Sequence, residues 1–221
     1  MSAARSLAWT DDRNAARLIA TDPLALLVGF LLDQQVPMEW AFGAPHTLKQ
    51  RLGGRLDAAT LSTIEPEELL QAFLAKPPLH RYPAAMARRT QKLAQQLVAD
   101  YEGDPARIWT TAADADEVSR RIAKLPGFSA GKARVILAVL AKQLGTEVPG
   151  WERLAPDWYS LADVRTKEDL LRYRDIKRAA KKAGDWPPGS AARANRKPTA
   201  KAAPKAGAAA RSKPKAKRAS P

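Results

Sequence analysis

Leu125-Pro126-Gly127-Phe128-Ser129-Ala130-Gly131-Lys132-Ala133 joins two stretches of helical periodicity through a link short enough to force a tight corner. Upstream, a helix is expected to end near Lys124. Pro126 cannot continue it, and Gly127 admits a backbone turn that a Cβ would resist. Downstream, Ser129 can cap a second helix, predicted over 130–144, with Val135, Ile136, Val139 and Leu140 on one broad face. A corner of this kind turns backbone N–H groups outward at the positive end of a helix dipole, a geometry that suits a phosphate. Lys132 adds a point charge beside it. An ordinary αα-corner has the same composition, so the turn by itself leaves both readings open.

Working outward, the rest of the body also reads as helix. Asp22-Pro23 is an N-cap followed by proline at the first helical position, and it opens a segment from Leu24 to Gln35. That segment is apolar on nearly every face and is expected to be the central buried helix. Glu65-Pro66 and Asp104-Pro105 repeat the start signal. Residues 84–101 carry Met86, Leu93, Leu97 and Val98 at helical spacing, with Arg88, Arg89 and Lys92 among the polar positions. Thr166 with Asp169 resembles a capping box and starts a last helix that runs to Gly184. Alternating β-branched runs are missing, so no sheet is predicted. The expected fold is all-α, with a leader over 1–20, a helical body over 21–184 and a tail over 185–221.

The 221 residues provide for one ordinary domain with appendages or two small ones. The chain is 45% hydrophobic and only 6% aromatic, so its core is expected to be mostly aliphatic. Lysine and arginine number 37 against 23 acids, a net charge of +14 that favours a polyanionic partner. Ten of those cations follow Gly184, with Asp185 the only acid there, so residues 1–184 carry about +5. The tail repeats Lys/Arg, Ala and Pro and is too poor in large apolar residues to fold. It reads as a disordered arm lying along phosphates, with Lys201, Lys205, Lys213, Lys215, Lys217 and Arg218 as contacts. A solubilising tail is the plainer alternative. There is no cysteine, which excludes disulfides, cysteine nucleophiles and cysteine-ligated iron–sulfur clusters. Two histidines, His46 and His80, leave little for a metal site, and none is predicted. The longest apolar run, Leu24 to Leu32, is too short to cross a bilayer. The expectation is a cytoplasmic, nucleoid-associated monomer that binds double-stranded DNA and no membrane.

The 125–133 segment resembles the helix–hairpin–helix of the endonuclease III-like (HhH-GPD) DNA glycosylase superfamily, whose hairpin reads Leu-Pro-Gly-x-Gly. Upstream, Leu31-Leu32-Asp33-Gln34-Gln35 is similar to the glutamine-bearing segment on an early helix of that fold, at a spacing of roughly ninety residues. With Pro149-Gly150-Trp151 the likeness narrows to an actinobacterial-type branch without an iron–sulfur cluster. The resemblance spans about Thr21 to Gly184. It implies a two-lobed helical body that grips DNA through hairpin residues Leu125, Pro126, Gly127, Phe128, Ser129, Gly131 and Lys132, and flips a nucleotide into a groove. Gln35, with Gln34, would fill the gap the flipped base leaves, and Asp33 would lie at the groove's edge. No cofactor is implied, although a monovalent cation at the hairpin is compatible with the motif.

The match departs from the family at its chemistry. The lyase lysine register holds Gly131, and Lys132 is one place later, rotated by about 100° on a helix and expected to face phosphate. The register of the catalytic aspartate falls on Pro149. Glu152 is then the first candidate acid, Asp157 the second, and Asp33 a third from the opposite wall; each is also readable as a solvated acid. Trp40, Trp151, Trp158 and Tyr159 are candidates for a base pocket, or for core packing. His80-Arg81-Tyr82 reads as a polar loop suited to DNA backbone. The expected function is a monofunctional DNA glycosylase of base-excision repair that removes a damaged or mispaired base. The alternative is a non-catalytic DNA-binding or nucleoid-associated protein on a degenerate glycosylase fold, with an RNA-associated basic protein third.

Overall fold

The computed structural model describes residues 6–186. The expected tail contacts Lys201, Lys205, Lys213, Lys215, Lys217 and Arg218 lie outside the described residues. Among those described, helices and turns account for all regular structure and no strand occurs, as the sequence predicts.

The chain begins with α1 (Arg13–Thr21), α2 (Pro23–Leu32) and α3 (Met38–Arg51), which pack on one another. Asp22 caps α2 by accepting from the N–H groups of Leu24 and Ala25 at 2.9 and 3.1 Å, with Pro23 at the first position. Every α2 residue from Leu24 to Leu32 is buried. Gly29 belongs to this packing: a Cβ there would stand 2.5 Å from Cδ1 of Phe42. Phe42, Phe30 and Trp9 form an edge-to-face cluster with centroids 4.8–5.7 Å apart, an aromatic node within a mostly aliphatic core. Leu7 and Trp9 are fully buried in the same core cluster, so residues 6–20, expected as part of a leader, pack with the body.

Next come α4 (Ala58–Thr63), α5 (Pro66–Leu74) and α6 (Pro83–Tyr101); α6 packs against both of the others and touches α2. The start signal at Asp104-Pro105 produces only a short α7 (Arg107–Thr110). Then α8 (Ala115–Ala123) and α9 (Ala130–Lys142) pair across the 125–129 link. After α10 (Trp151–Leu154) and a 3₁₀ turn (Leu161–Asp163), α11 (Lys167–Lys182) starts from the expected Thr166/Asp169 capping box. Gly184 follows it in the left-handed region, at φ +71°. The helix predicted to reach Gln35 stops three residues early, at Leu32. The Gln34 side chain donates to the Leu31 carbonyl at 2.6 Å, and Gln35 turns to φ +58°.

Candidate nucleic-acid interface and cavity

The 125–133 corner sits on the C-terminal end of α2. Leu125 is buried and closes α8 with an N–H bond to the Ile122 carbonyl at 3.1 Å, and the Phe128 N–H returns to the Leu125 carbonyl at 3.1 Å. Gly127 has φ +83°, and a Cβ on it would come within 2.6 Å of Cδ1 of Leu31. Both conformation and space therefore require glycine here. Ser129 caps α9 through the Lys132 N–H at 3.3 Å. The N–H groups of Gly127, Ser129, Ala130 and Gly131 have no protein acceptor among the described residues, and Gly127, Ser129 and Ala130 are exposed. Three amides at the start of a thirteen-residue helix, with the Gly127 amide in the turn before it, thus remain open to an anion.

Beside this corner, Asp33, Gln34, Gln35 and Val36 form one wall of a cavity of about 310 Å³. The wall is tightly braced. Gln34 accepts from Arg89 Nη1 at 3.1 Å through its side chain, and its carbonyl accepts from His80 Nε2 at 2.9 Å. His80 Nδ1 accepts the Tyr82 N–H at 3.0 Å, so the ring is neutral with its proton on Nε2. His80 is fully buried, and burial pushes its pKa down. The expected exposed loop at 80–82 therefore holds for Arg81 and Tyr82 only. His80 faces inward as a brace, a role nothing local in the sequence signals.

The two glutamines differ sharply in freedom. Gln34 is tied down by four partners, Leu31, Leu32, His80 and Arg89, whereas Gln35 is exposed, left-handed, and among the described residues has only a 3.5 Å contact to the Tyr82 hydroxyl. A non-glycine residue in that backbone region carries a steric cost, and such outliers gather at functional positions. Gln35 is therefore the freer of the two glutamines lining the cavity, and Gln34 the braced one.

Lys132 does not turn outward to phosphate. Its ammonium donates to the Phe30 carbonyl and lines the cavity. Burial lowers its pKa to about 8, opposed by the charge of Asp33 and reinforced by Lys177 and Arg89. The rotation of one helical position is taken up by the long lysine stem. Asp33, at the end of α2, lines the same cavity with its side chain 12% exposed and lies 3.4 Å from Lys177.

Glu152 and Asp157 stand elsewhere. Gly150, left-handed at φ +79°, starts the four-residue α10, and Glu152 on it is exposed. Asp157 is also exposed, 4.0 Å from Arg134. Neither lines the cavity. Pro149, the vacant family register, gives its carbonyl to the Ala115 N–H at 3.0 Å and so anchors the start of α8. The acid in the cavity is Asp33, the candidate ranked last.

Of the four proposed pocket aromatics, only Trp158 reaches the cavity, with Arg134 stacked 5.1 Å over its ring. Trp40 donates instead to the Pro78 carbonyl at 3.0 Å, Trp151 packs on the core, and Tyr159 donates to Asp169 at 3.2 Å. The remaining aromatic lining is Phe30, Tyr173 and Trp186. Tyr173, Lys177 and Lys181 recur every four residues along α11, a spacing that the sequence displays but that its terminal position obscured. No cluster of three or more metal-ligating side chains occurs among the described residues, and without cysteine an iron–sulfur cluster has no ligands. Among the same residues, no single helix is long and apolar enough to cross a membrane. No protein-family model, curated protein or solved structure matches the chain.

Proposed function

We propose that the protein is a DNA glycosylase of base-excision repair on a two-lobed HhH-GPD-like body. The open amides of the 127–131 corner bind one phosphate of duplex DNA, and the adjoining cavity accepts the extruded nucleotide. The observation that carries this reading is the convergence of three features at one end of α2: unpartnered helix-start amides, a left-handed exposed Gln35, and a cavity holding both a carboxylate and an amine. Loss of a base builds positive charge on the deoxyribose, and Asp33 is placed to stabilise it. Lys132, with a pKa near 8, keeps an appreciable neutral fraction at physiological pH, and a neutral amine is a nucleophile for the sugar. The geometry thus favours the form in which Lys132 attacks over the purely water-driven form expected from its register.

The test is a panel of duplexes carrying uracil, hypoxanthine, oxidised bases or alkylated purines, read as alkali-labile breaks and as borohydride-trapped protein–DNA adducts. Breaks with trapping are expected. Breaks without trapping return the protein to water-driven chemistry, and no product on any duplex refutes the enzyme. The non-catalytic reading is favoured by one observation, the pairing of Asp33 with Lys177, which leaves the carboxylate partly occupied. A binder would hold damaged duplex tightly and leave it intact.

A further inference from the structure

Lys177 occupies an unusual place in the cavity. Its ammonium lies 3.4 and 3.5 Å from the two Asp33 carboxylate oxygens, and 5.5 and 5.8 Å from the centroids of Tyr173 and Trp186. The aromatic faces on this wall, which would otherwise attract a cation, are already served by a lysine of the chain. Lys132 stands across from it on α9, and Lys181 also lines the space. Among the described residues, three ammonium groups therefore border the cavity against the single carboxylate of Asp33.

The donors left over have a definite direction of preference. An ammonium has three N–H donors and no acceptor. Lys132 spends one on the Phe30 carbonyl, and Lys177 is engaged with Asp33, so the remaining N–H groups call for oxygen acceptors from a ligand. Asp33 retains acceptor capacity beyond Lys177 and can receive a ring N–H. Carbonyl oxygens beside a ring N–H make up the lactam or imide edge of an oxo base. A base carrying a fixed positive charge meets like charge here and finds the aromatic faces taken.

We infer that this cavity selects neutral oxo bases, of the kind formed by deamination or ring oxidation, and rejects cationic N-alkylated purines. The inference rests on the proposed function for the origin of the base in DNA, but the preference belongs to the cavity and is measurable on free nucleosides.

The experiment titrates the full chain with deoxyuridine, deoxyinosine, 7-methylguanosine and 1-methyladenosine, following tryptophan fluorescence, with Trp158→Phe to identify the signal. The oxo nucleosides are expected to bind about tenfold or more tightly than the cationic ones. Lys177→Met is expected to narrow that ratio severalfold, by removing one ammonium and freeing the Tyr173 and Trp186 faces. Equal or inverted affinities overturn the inference, as does an unchanged ratio in Lys177→Met. If no free nucleoside gives a signal, duplexes with one uracil or one 7-methylguanine replace them, and equal affinity for the two overturns it. Oxo-nucleoside preference without any strand breakage would refute the enzyme and keep the inference. Excision led by alkylated purines would do the reverse.

Discussion

On one side of the cavity, residues 33–36 are held largely through main-chain carbonyls and amides: His80 to the Gln34 carbonyl, the Tyr82 N–H to His80, and the Gln34 amide to the Leu31 carbonyl. On the other side, Tyr173, Lys177 and Trp186 meet through ring contacts between side chains, and Lys177 reaches across to Asp33 through an ion pair. Backbone-directed bonds fix a segment's path, and a wall built from them resists adjustment. Side-chain contacts permit rotamer changes at small cost. The first wall is therefore the one that can sustain a strained Gln35, and the second the one that can reshape around a ligand. Under the proposed function, duplex grip and base extrusion would fall to α2 and the corner, and base selection to α11.

The largest effect should come from Lys132, the cavity amine that α9 adds to the two walls. Lys132→Met is expected to abolish borohydride trapping while leaving duplex affinity within a few-fold. In the wild type, trapping should rise with pH through a midpoint near 8 as the amine loses its proton. Stability carries the same signature. The unfolded lysine keeps its proton to about 10.5, whereas the folded one releases it at about 8. Between those values the unfolded state binds more protons, so stability rises with pH across that window. Lys132→Met should lack that rise, which thermal melts between pH 7 and 11 will show.

Gly127→Ala attacks the seat of the corner on α2, through both a disfavoured φ and the contact with Leu31. A loss of about 2–4 kcal/mol is expected from denaturant melts, together with weaker duplex binding. His80→Phe tests the bracing of the first wall. It leaves the Gln34 carbonyl and the Tyr82 N–H unpaired and should cost about 2 kcal/mol. It should also slow excision through the misplaced Gln35, with little change in nucleoside binding at the α11 wall. Equal damage to both readouts would erase the distinction between the walls. Smallest in stability is removal of the residues after Trp186, which should leave the melting temperature unchanged. The salt dependence of DNA binding should flatten, by about 0.9 in log–log slope for each phosphate released.

Those parts of the fold that depend on neighbours in sequence were readable from it. Asp22 and Pro23 start α2, Ser129 starts α9, and Thr166 with Asp169 starts α11, because capping is a matter of two or three residues. The corner at Gly127 was readable for the same reason. What was hidden depends on distant contacts. Nothing around His80 shows that its ring will reach the Gln34 carbonyl, forty-six positions away. Likewise the packing turns Asp33 toward the cavity, while the short α10 turns Glu152 to solvent. Lys132 was misplaced because a register argument tracks the Cα and ignores how far a lysine stem can bend. The sequence sets residues 1–20 apart as a leader, because Leu7 and Trp9 are isolated apolar residues there and their burial depends on α2 and α3.

The central claim is that the corner's amides receive a nucleotide backbone beside Gln35. Amide ¹H–¹⁵N spectra of the full chain, titrated with a short duplex, address it residue by residue. Gly127, Ser129, Ala130, Gly131 and Gln35 are expected to show the largest shifts, and to keep them at salt concentrations that erase the others. Unmoved signals at those five positions, with shifts confined to other residues, would contradict it.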